Sequence, residues 1–518
     1  MADKDRAQLA AVIDIGSSIL SMEIAQAGGV HPQELDYLEH PVNLGYESFN
    51  HGRVSFRTLE EIARVIDGYL QVCATYGIEE DAVRITATTA LREAANAPYV
   101  LDQLRVRTGR TVQVLEDGQE MTLIYKEMLR RLDVAGEDAR VPMLMAYIGT
   151  GSVGIAALRQ GDVVFARNVR VGSLKLSQML GQTGERTPRF HLILEEYLAA
   201  LTRMLRDQMA AYRPERFVVC GKEIELIAEL THTEERNGLL RIPRATLGAL
   251  YDEVKHLSPA QVVERYGLRG EQAEVLMPSL AIYLTLAEFT GSGTVVSPSV
   301  SLGDWLLYES LYPKEAKEWN RRFEGSVVAS AWEMAALYQT DRAHAALVER
   351  LALQIFDCLR KVHGFSRRER LLLQTSAVLH DIGKFVNSKY HDVYACHLIM
   401  DSNLVGLTTA DMVLVGNICR YHGGTLPSMS HREWAALRDD ERLTASKLAA
   451  ILRIADGLDR SHTQKLNDVT TELVGNELII TGRTDRDTTL EEWSLGYKGE
   501  FFTEVFGLRP TFHKTPLG

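Results

Sequence analysis

Residues 8–27, QLAAVIDIGSSILSMEIAQA, contain the pattern that decides the fold of the N-terminal half. An apolar run ends near Asp14, a Gly-Ser turn follows, and a second apolar run begins, which predicts two strands joined by a tight turn. Residues 142–172, PMLMAYIGTGSVGIAALRQGDVVFARNVRVG, open in the same way, with Tyr147-Ile148-Gly149 in the place of Asp14-Ile15-Gly16. The repeated opening predicts a duplicated α/β core with a cleft between its halves.

The segments between and after these two openings complete the domain plan. Residues 58–77, TLEEIARVIDGYLQVCATYG, predict a helix that stops at a glycine, and residues 111–132 predict a strand, a turn and a helix. From about residue 320 to 465 the pattern is helical almost throughout, and the tail alternates short strands with a helix. We therefore predict four domains, which are α/β units at 1–132 and 133–318, a helical domain at 319–465 and a small α/β domain at 466–518.

Length, charge and cysteine usage limit the function. A chain of 518 residues is too long for one core, which agrees with several domains. The net charge of −12 argues against a general nucleic-acid binder, although local loops or metals still bind phosphate in an acidic protein. Five scattered cysteines without a CxxC motif predict a cytoplasmic protein. We expect no membrane span, because no run of 18 apolar residues occurs, and no targeting segment is evident.

A series of imidazoles and carboxylates lies in register with the apolar faces of the helical domain. Its members are His344, His380, Asp381, His397, His422 and Asp456. His344, for example, precedes apolar residues at three- and four-residue steps, so it should face the core. Buried titratable groups require partners or a metal. Imidazole and carboxylate together suit Mn, Fe, Zn or Mg, and two such ions can activate a water and clamp a phosphate.

The segment from about 341 to 465 resembles an HD-domain metal phosphohydrolase, whose pattern is H…HD…H…H…D. The resemblance implies one or two divalent metals, of which the first is held by His344, His380, Asp381 and Asp456. It implies that Asp381 bridges to a second metal held by His397 and His422. Lys384, one helical turn after the His-Asp pair, would lie near a phosphate. His391 remains an alternative to His397, because YHDVYACHLIM at 390–400 offers both.

Five further motifs extend the resemblance to nearly the whole chain. They are AVIDIGSS (11–18), ATTALREAANA (87–97), GQEMTLIY (118–125), YIGTGSVG (147–154) and RVGSLKL (170–176). Their order and spacing are similar to those of the exopolyphosphatase/guanosine pentaphosphate phosphatase (PPX/GppA) family, many members of which carry a C-terminal HD-like domain and a small α/β tail. The resemblance implies an actin/sugar-kinase-like (ASKHA) core, an all-α HD bundle, a small α+β tail and a homodimer.

The resemblance also assigns roles in the N-terminal cleft. Asp14 would hold Mg²⁺ or orient a water, Arg92 would pair with a phosphate, and Glu120 would be the general base that orients the attacking water. Two loops would bind phosphate, through Gly16, Ser17 and Ser18 in the first and Gly149, Thr150, Gly151 and Ser152 in the second.

The sequence departs from the family at several of these positions. The second loop, usually D-I-G-G-G-S-T-E, has Tyr147 and Gly154 in place of its two carboxylates. Met121 replaces the usual second Glu of G-x-E-E-A, Ser18 replaces an Asn, and Cys220-Gly221-Lys222-Glu223-Ile224 stands for G-x-G-G-T. Because Tyr147 removes a hard oxygen ligand, we expect a weakened Mg²⁺ site.

Three hypotheses follow from these patterns. The first is a PPX/GppA-like phosphohydrolase that removes terminal phosphate from inorganic polyphosphate or a guanosine polyphosphate in the N-terminal cleft. The second places the chemistry at the HD metals, acting on a phosphomonoester or nucleotide, with the N-terminal cleft as a ligand sensor. The third is a non-catalytic regulator that binds polyphosphate or a nucleotide.

Overall fold

The structure, a computed structural model, describes residues 8–169, 171–181 and 190–516. The chain divides into two compact units, Met1–Phe323 and Glu324–Gly518. Arg170 of the RVGSLKL motif lies outside the described residues. The division into four domains expected from the sequence stays a prediction.

The first unit holds a five-stranded sheet and a six-stranded sheet among its described residues. The strands are β1 (Leu9–Ile15), β2 (Ile19–Gly28), β3 (His31–Pro41), β4 (Val83–Ala87), β5 (Gln113–Val114), β6 (Met143–Ile148), β7 (Val153–Arg159), β8 (Asp162–Val169), β9 (Arg216–Cys220), β10 (Leu240–Pro243) and β11 (Thr294–Ser297). The sheet orders are β3-β2-β1-β4-β5 and β10-β11-β9-β6-β7-β8.

The two sheets are built alike. In the first, β1 pairs antiparallel with β2 and parallel with β4, and in the second, β6 pairs antiparallel with β7 and parallel with β9. Asp14 lies opposite Thr86 on β4, and Tyr147 lies at the equivalent place opposite Cys220 on β9. The duplicated α/β core predicted from the sequence is therefore confirmed.

The helices of this unit bury their apolar faces against the sheets or against one another. They are α1 (Leu44–His51), α2 (Phe56–Thr75), α3 (Thr89–Arg92), α4 (Ala97–Thr108), α5 (Asp117–Val134), α6 (Ser173–Gly181), α7 (Phe190–Tyr212), α8 (Lys222–Leu230), α9 (Arg244–Val254), α10 (Pro259–Tyr266), α11 (Gly270–Ala287), α12 (Leu302–Leu311) and α13 (Pro313–Leu337). In α2, Ser55 caps the first turn by accepting a hydrogen bond from Thr58 N, and Ile62 and Ile66 are buried. The division between the units falls within α13.

The second unit is helical up to its tail. The helices are α14 (Arg342–Cys358), α15 (Arg360–His363), α16 (Arg367–Leu379), α17 (His391–Met400), α18 (Thr409–Arg420), α19 (Arg432–Ala435), α20 (Asp439–Gly457) and α21 (Thr489–Phe506). Side-chain caps at Asp341, Ser366 and Thr408 start α14, α16 and α18. These three helices and α20 share one apolar core, so the helical bundle predicted here is confirmed, whereas its assignment as an HD fold is not.

The tail of the second unit forms a small sheet packed with α21. Its strands are β12 (Asn467–Val474), β13 (Glu477–Arg483) and β14 (Arg509–Thr515), in the order β12-β13-β14. Helix α21 packs on α20 and on β14, which brings Lys498 of the tail beside Asp456 of the bundle. None of the helices in the described ranges is both long and apolar enough to cross a bilayer.

Candidate active site and metal centre

The two predicted phosphate loops have the same backbone turn at the ends of β1 and β6. Gly16 N donates to Ile19 O at 3.0 Å in the first loop, and Gly149 N donates to Ser152 O at 2.9 Å in the second. The second loop lies against α3, because a Cβ on Gly151 would come within 2.8 Å of Thr89 Cγ2. We call the region bounded by these loops, α3 and the start of α5 the phosphate cleft.

Arg92 is held in the phosphate cleft by protein groups. Its guanidinium donates to Asp117 Oδ1, to Leu115 O and to Thr89 Oγ1, the last at 3.0 Å. Arg92 Nη1 also lies 3.5 Å from Glu120 Oε2. The residue is therefore oriented before a ligand arrives, which lowers the cost of organising the site.

Glu120, which the resemblance predicts to be the general base, is a buried carboxylate. Its side chain starts the buried face of α5, is 4% exposed, and leaves Oε2 without a hydrogen-bond partner among the described atoms. Burial raises the pKa of Glu120 to about 7, with Arg92 acting in the opposite direction and Asp14 adding to the rise. The carboxyl group therefore titrates close to neutral pH, where a base is most useful.

The residues present do not fit the Mg²⁺ site predicted for this cleft. Asp14 accepts a hydrogen bond from Thr86 Oγ1 at 3.1 Å, and burial raises its pKa. Burial also raises the pKa of Tyr147 well above its usual value, so the phenol stays neutral and is a poor ligand for a hard cation. Within the described ranges, every group of three side chains able to hold a metal lies in the second unit.

The lost carboxylates of the cleft are replaced by apolar packing. A Cβ on Gly154 would meet Met121 Cγ, Met121 Sδ and Tyr125 OH, each at 3.0 Å. The thioether of Met121 thus fills the space beside Gly154, where the family has two acidic side chains. The two departures belong together, because a larger residue at 154 would require Met121 to move.

The second unit brings four ligand atoms of the first predicted metal into one cluster. His344 Nε2 and His380 Nε2 lie 3.2 Å apart, and each lies 3.2–3.7 Å from Asp456 Oδ1 and Asp381 Oδ2. A tetrahedron with metal–ligand bonds of about 2.1 Å has edges of about 3.4 Å. The four atoms therefore have the spacing of a metal site.

A second set of ligand atoms shares Asp381 with the first. His391 Nε2 and His422 Nε2 lie 3.3 Å apart, and they lie 3.8 and 4.0 Å from Asp381 Oδ1. Asp381 thus presents one oxygen to each set, as a bridging carboxylate does. With three protein atoms, the second set leaves coordination positions for water or phosphate.

His397 lies outside this second set, which corrects the predicted ligand list. Its side chain is half exposed, and its Nε2 lies 3.4 Å from Glu433 Oε1. His391 is the first residue of α17, and six further residues turn the helix by about 240°, so His397 points to another side. We use the name metal centre for the candidate metal site formed by His344, His380, Asp381, His391, His422 and Asp456.

The four imidazoles of the metal centre are oriented by acceptors at Nδ1. His344 Nδ1 donates to Asp459 Oδ2 at 2.8 Å, and the other three donate to backbone carbonyls of Ala377, Cys419 and Ser388. Every Nε2 is therefore directed at the centre, the arrangement found around metal-bound histidines. This second layer favours a metal site over a cluster of core histidines.

Most side chains of the metal centre have the protonation state that binds a metal. Burial lowers the pKa of His380 and of His422, which keeps them in the neutral form that binds metals. Burial alone would raise the pKa of Asp381, but its interactions with the neighbouring His380 imidazole and Lys384 ammonium hold it below its usual range. His344 is the exception, since its hydrogen bonds to Asp456 and Asp459 outweigh burial and raise its pKa to about 9. Metal binding would displace that proton.

Three cationic or imidazole side chains border the metal centre. Lys384, singled out in the sequence, donates to Asp381 Oδ2 at 2.6 Å and is partly exposed. The sequence reasoning missed Lys498, which is 4% exposed and donates to Asp456 Oδ2 and, at 3.2 Å, to His422 O. It also missed His462, whose ring stacks on His344 at 3.7 Å. His462 lies six residues after Asp456, and this nearness in sequence is the signal that could have pointed to it.

Comparison with known proteins places the chain in a family. The model of the Ppx/GppA phosphatase family matches residues 23–298, and the model of Ppx/GppA phosphatase domain III matches residues 328–498. A guanosine-5'-triphosphate,3'-diphosphate pyrophosphatase of Vibrio vulnificus is 22% identical over 494 residues, covering 93% of each chain. One of Aeromonas hydrophila is 22% identical over 464 residues, covering 88% of each.

A solved structure shares the fold of part of the chain. An exopolyphosphatase from Cytophaga hutchinsonii matches with a TM-score of 0.53 and 15% identity, over 59% of this chain and 98% of that one. Enzymes of the matched family depend on divalent metals, and the second unit contains groups able to hold such ions. Because a family model matches more than half of its length, the chain belongs to the Ppx/GppA phosphatase family, and the phosphate-releasing phosphohydrolase predicted from the sequence is confirmed.

Proposed function

We propose that the phosphate cleft releases terminal phosphate from inorganic polyphosphate or guanosine pentaphosphate, with Glu120 as the general base. The observation that carries this proposal is the Glu120 carboxylate, which is buried, has one oxygen without a hydrogen-bond partner and has a pKa of about 7. The substrate class is supported by the family and by the names of the relatives.

The residues of the cleft would divide the reaction between them. Backbone N–H groups of the two loops would bind the terminal phosphate, and the oriented Arg92 would neutralise charge that develops on it. Glu120 would accept a proton from the attacking water as the water oxygen bonds to phosphorus. The bond from phosphorus to the bridging oxygen then breaks, and the shortened chain leaves with the bonding electron pair.

The pH dependence of phosphate release tests the role of Glu120. The base works only when it is deprotonated, so kcat/KM should rise about tenfold per pH unit below pH 7 and level off above it. An ordinary glutamate would place this rise near pH 4.5. Orthophosphate release from polyphosphate, measured from pH 5 to 9, gives the profile. A profile that is flat across this range would exclude Glu120 as the base.

A second candidate function rests on the metal centre, which we propose to be an HD-type phosphohydrolase site for a nucleotide or phosphomonoester. Two sets of ligand atoms that share Asp381 favour it. When bound, divalent metals of the Mn, Fe, Zn or Mg class would supply an activated water and a clamp for phosphate. Lys384 would move from Asp381 to the phosphate, because its side chain is partly exposed.

A matched pair of histidine variants tests the corrected ligand set. His391→Ala should lower the bound metal by one equivalent, since it removes one of three ligand atoms from the second set. His397→Ala, on the same helix, should leave the metal content unchanged. Elemental analysis of the purified variants decides between them. Loss of metal from the His397 variant alone would restore the ligand assignment made from the sequence.

Three further hypotheses made from the sequence stay predictions. A non-catalytic regulator becomes the better description if the purified protein hydrolyses neither polyphosphate, guanosine pentaphosphate nor nucleotides. The homodimer expected from the resemblance and the cytoplasmic location expected from the cysteines are proposals of the same standing.

A further inference from the structure

A lysine stands next to the second phosphate loop where the resemblance expects a glycine. Lys222 is the first residue of α8 and follows Gly221, which has a φ of 140°. A Cβ on Gly221 would overlap Ile148 O, so this glycine lets the start of α8 approach the second phosphate loop. The side chain of Lys222 therefore starts beside the second phosphate loop.

Lys222 reaches from the second sheet to the first. Its Nζ lies 2.8 Å from Glu39 Oε1 and 3.2 Å from Tyr37 OH, both on β3. Glu39 pairs with Ser21 on β2, and Ser21 pairs with Asp14 on β1, so the three side chains share one face of the sheet. The charge of Lys222 lies on the same side as Asp14, where it opposes the effect of burial on that carboxyl.

The polar contacts of this lysine leave one of its donors for an anion. An ammonium has three N–H donors, and Glu39 and Tyr37 use two of them. The start of α8 adds backbone N–H groups, which favour a negative charge. Among the described residues, the contacts with Glu39 and Tyr37 leave one N–H of the Lys222 ammonium to donate to an anion.

We propose that Lys222 supplies the fixed positive charge that binds the substrate phosphate in this cleft, so that phosphate binding there does not require Mg²⁺. The inference rests on the proposed function of the cleft. It follows from the poor fit of the cleft to a metal, since Tyr147 stands where a carboxylate would help to hold Mg²⁺, and Gly154 and Met121 replace two further acidic residues of the family. The ammonium of Lys222 thus replaces the positive charge that Mg²⁺ would supply.

A purely structural role predicts something different. The ion pair of Lys222 and Glu39 is partly exposed, and such pairs contribute little to stability. If the lysine only linked the two halves, removing either partner would have the same effect. If it binds phosphate, removing Glu39 frees the ammonium, whereas removing Lys222 eliminates it.

The test measures binding of tripolyphosphate to the full chain by calorimetry, in EDTA and in Mg²⁺. The wild-type affinity should agree within about threefold between the two conditions, and Lys222→Met should lower it at least tenfold in both, as expected for a lost charge-assisted hydrogen bond. Lys222→Arg should restore part of the affinity, and Glu39→Gln should leave it equal or higher.

Either of two results would overturn the inference. One is a wild-type affinity that falls tenfold in EDTA and returns with Mg²⁺, and the other is a Lys222→Met variant that binds as the wild type does. Neither depends on turnover, so a cleft that binds phosphate through Lys222 without hydrolysing it would contradict the proposed function alone.

Discussion

Glu120→Gln lowers kcat for phosphate release by about 100- to 10,000-fold, if Glu120 is the general base of the phosphate cleft. The amide has nearly the same shape but cannot accept a proton from the attacking water. Because the side chain is buried and Oε2 makes no hydrogen bond among the described residues, the substitution should leave the fold intact. Orthophosphate release from polyphosphate and from guanosine pentaphosphate measures the loss.

Two further measurements make this result specific. Tripolyphosphate should bind to the Glu120→Gln variant as tightly as to the wild type, because the loops, Arg92 and Lys222 are unchanged. Glu137→Gln, which alters an ion-paired glutamate outside the cleft, should keep the wild-type kcat. A Glu120→Gln variant with full activity would move the chemistry to another site.

Asp381→Asn should have the second large effect, on the metal centre. Asp381 offers one oxygen to His344 and His380 and the other to His391 and His422, so its loss weakens both metals together. We expect the affinity for each metal to fall at least tenfold, since a neutral amide is a weaker ligand than a carboxylate. Metal content after dialysis, by elemental analysis, is the measurement.

The matched control for this variant is Asp401→Asn. Asp401 is an exposed carboxylate that follows α17 and is remote in sequence from the bridging position. It should keep the metal content of the wild type. Equal metal content in both variants would show that the cluster binds metal through other groups or does not bind it.

The sequence predicted the architecture of the cleft because its signals are local. A Gly-Ser turn between two apolar runs encodes a strand hairpin, and repeating it encodes the second sheet. The hydrogen-bond partners of Arg92 could not be predicted from the sequence, because pairing with Asp117 depends on how α3 and the start of α5 meet in space. The raised pKa of Glu120 likewise comes from burial, which a motif does not report.

The metal centre was also predicted only in part from the sequence. Helical periodicity placed His344, His380, His422 and Asp456 on buried faces, and the structure brings them together. The choice between His391 and His397 depended on where α17 starts, and element boundaries are the least certain part of a sequence-based assignment. Lys498 gave no signal, because nothing in the tail distinguishes the one lysine that is buried against Asp456.

The most direct test of the account compares Glu120→Gln and Asp381→Asn in one assay of orthophosphate release from polyphosphate. We predict that Glu120→Gln loses at least 100-fold in kcat, whereas Asp381→Asn keeps most of its activity while losing its bound metal. The opposite result, with full activity in Glu120→Gln and none in Asp381→Asn, would contradict the assignment of phosphate release to the phosphate cleft and would place it at the metal centre.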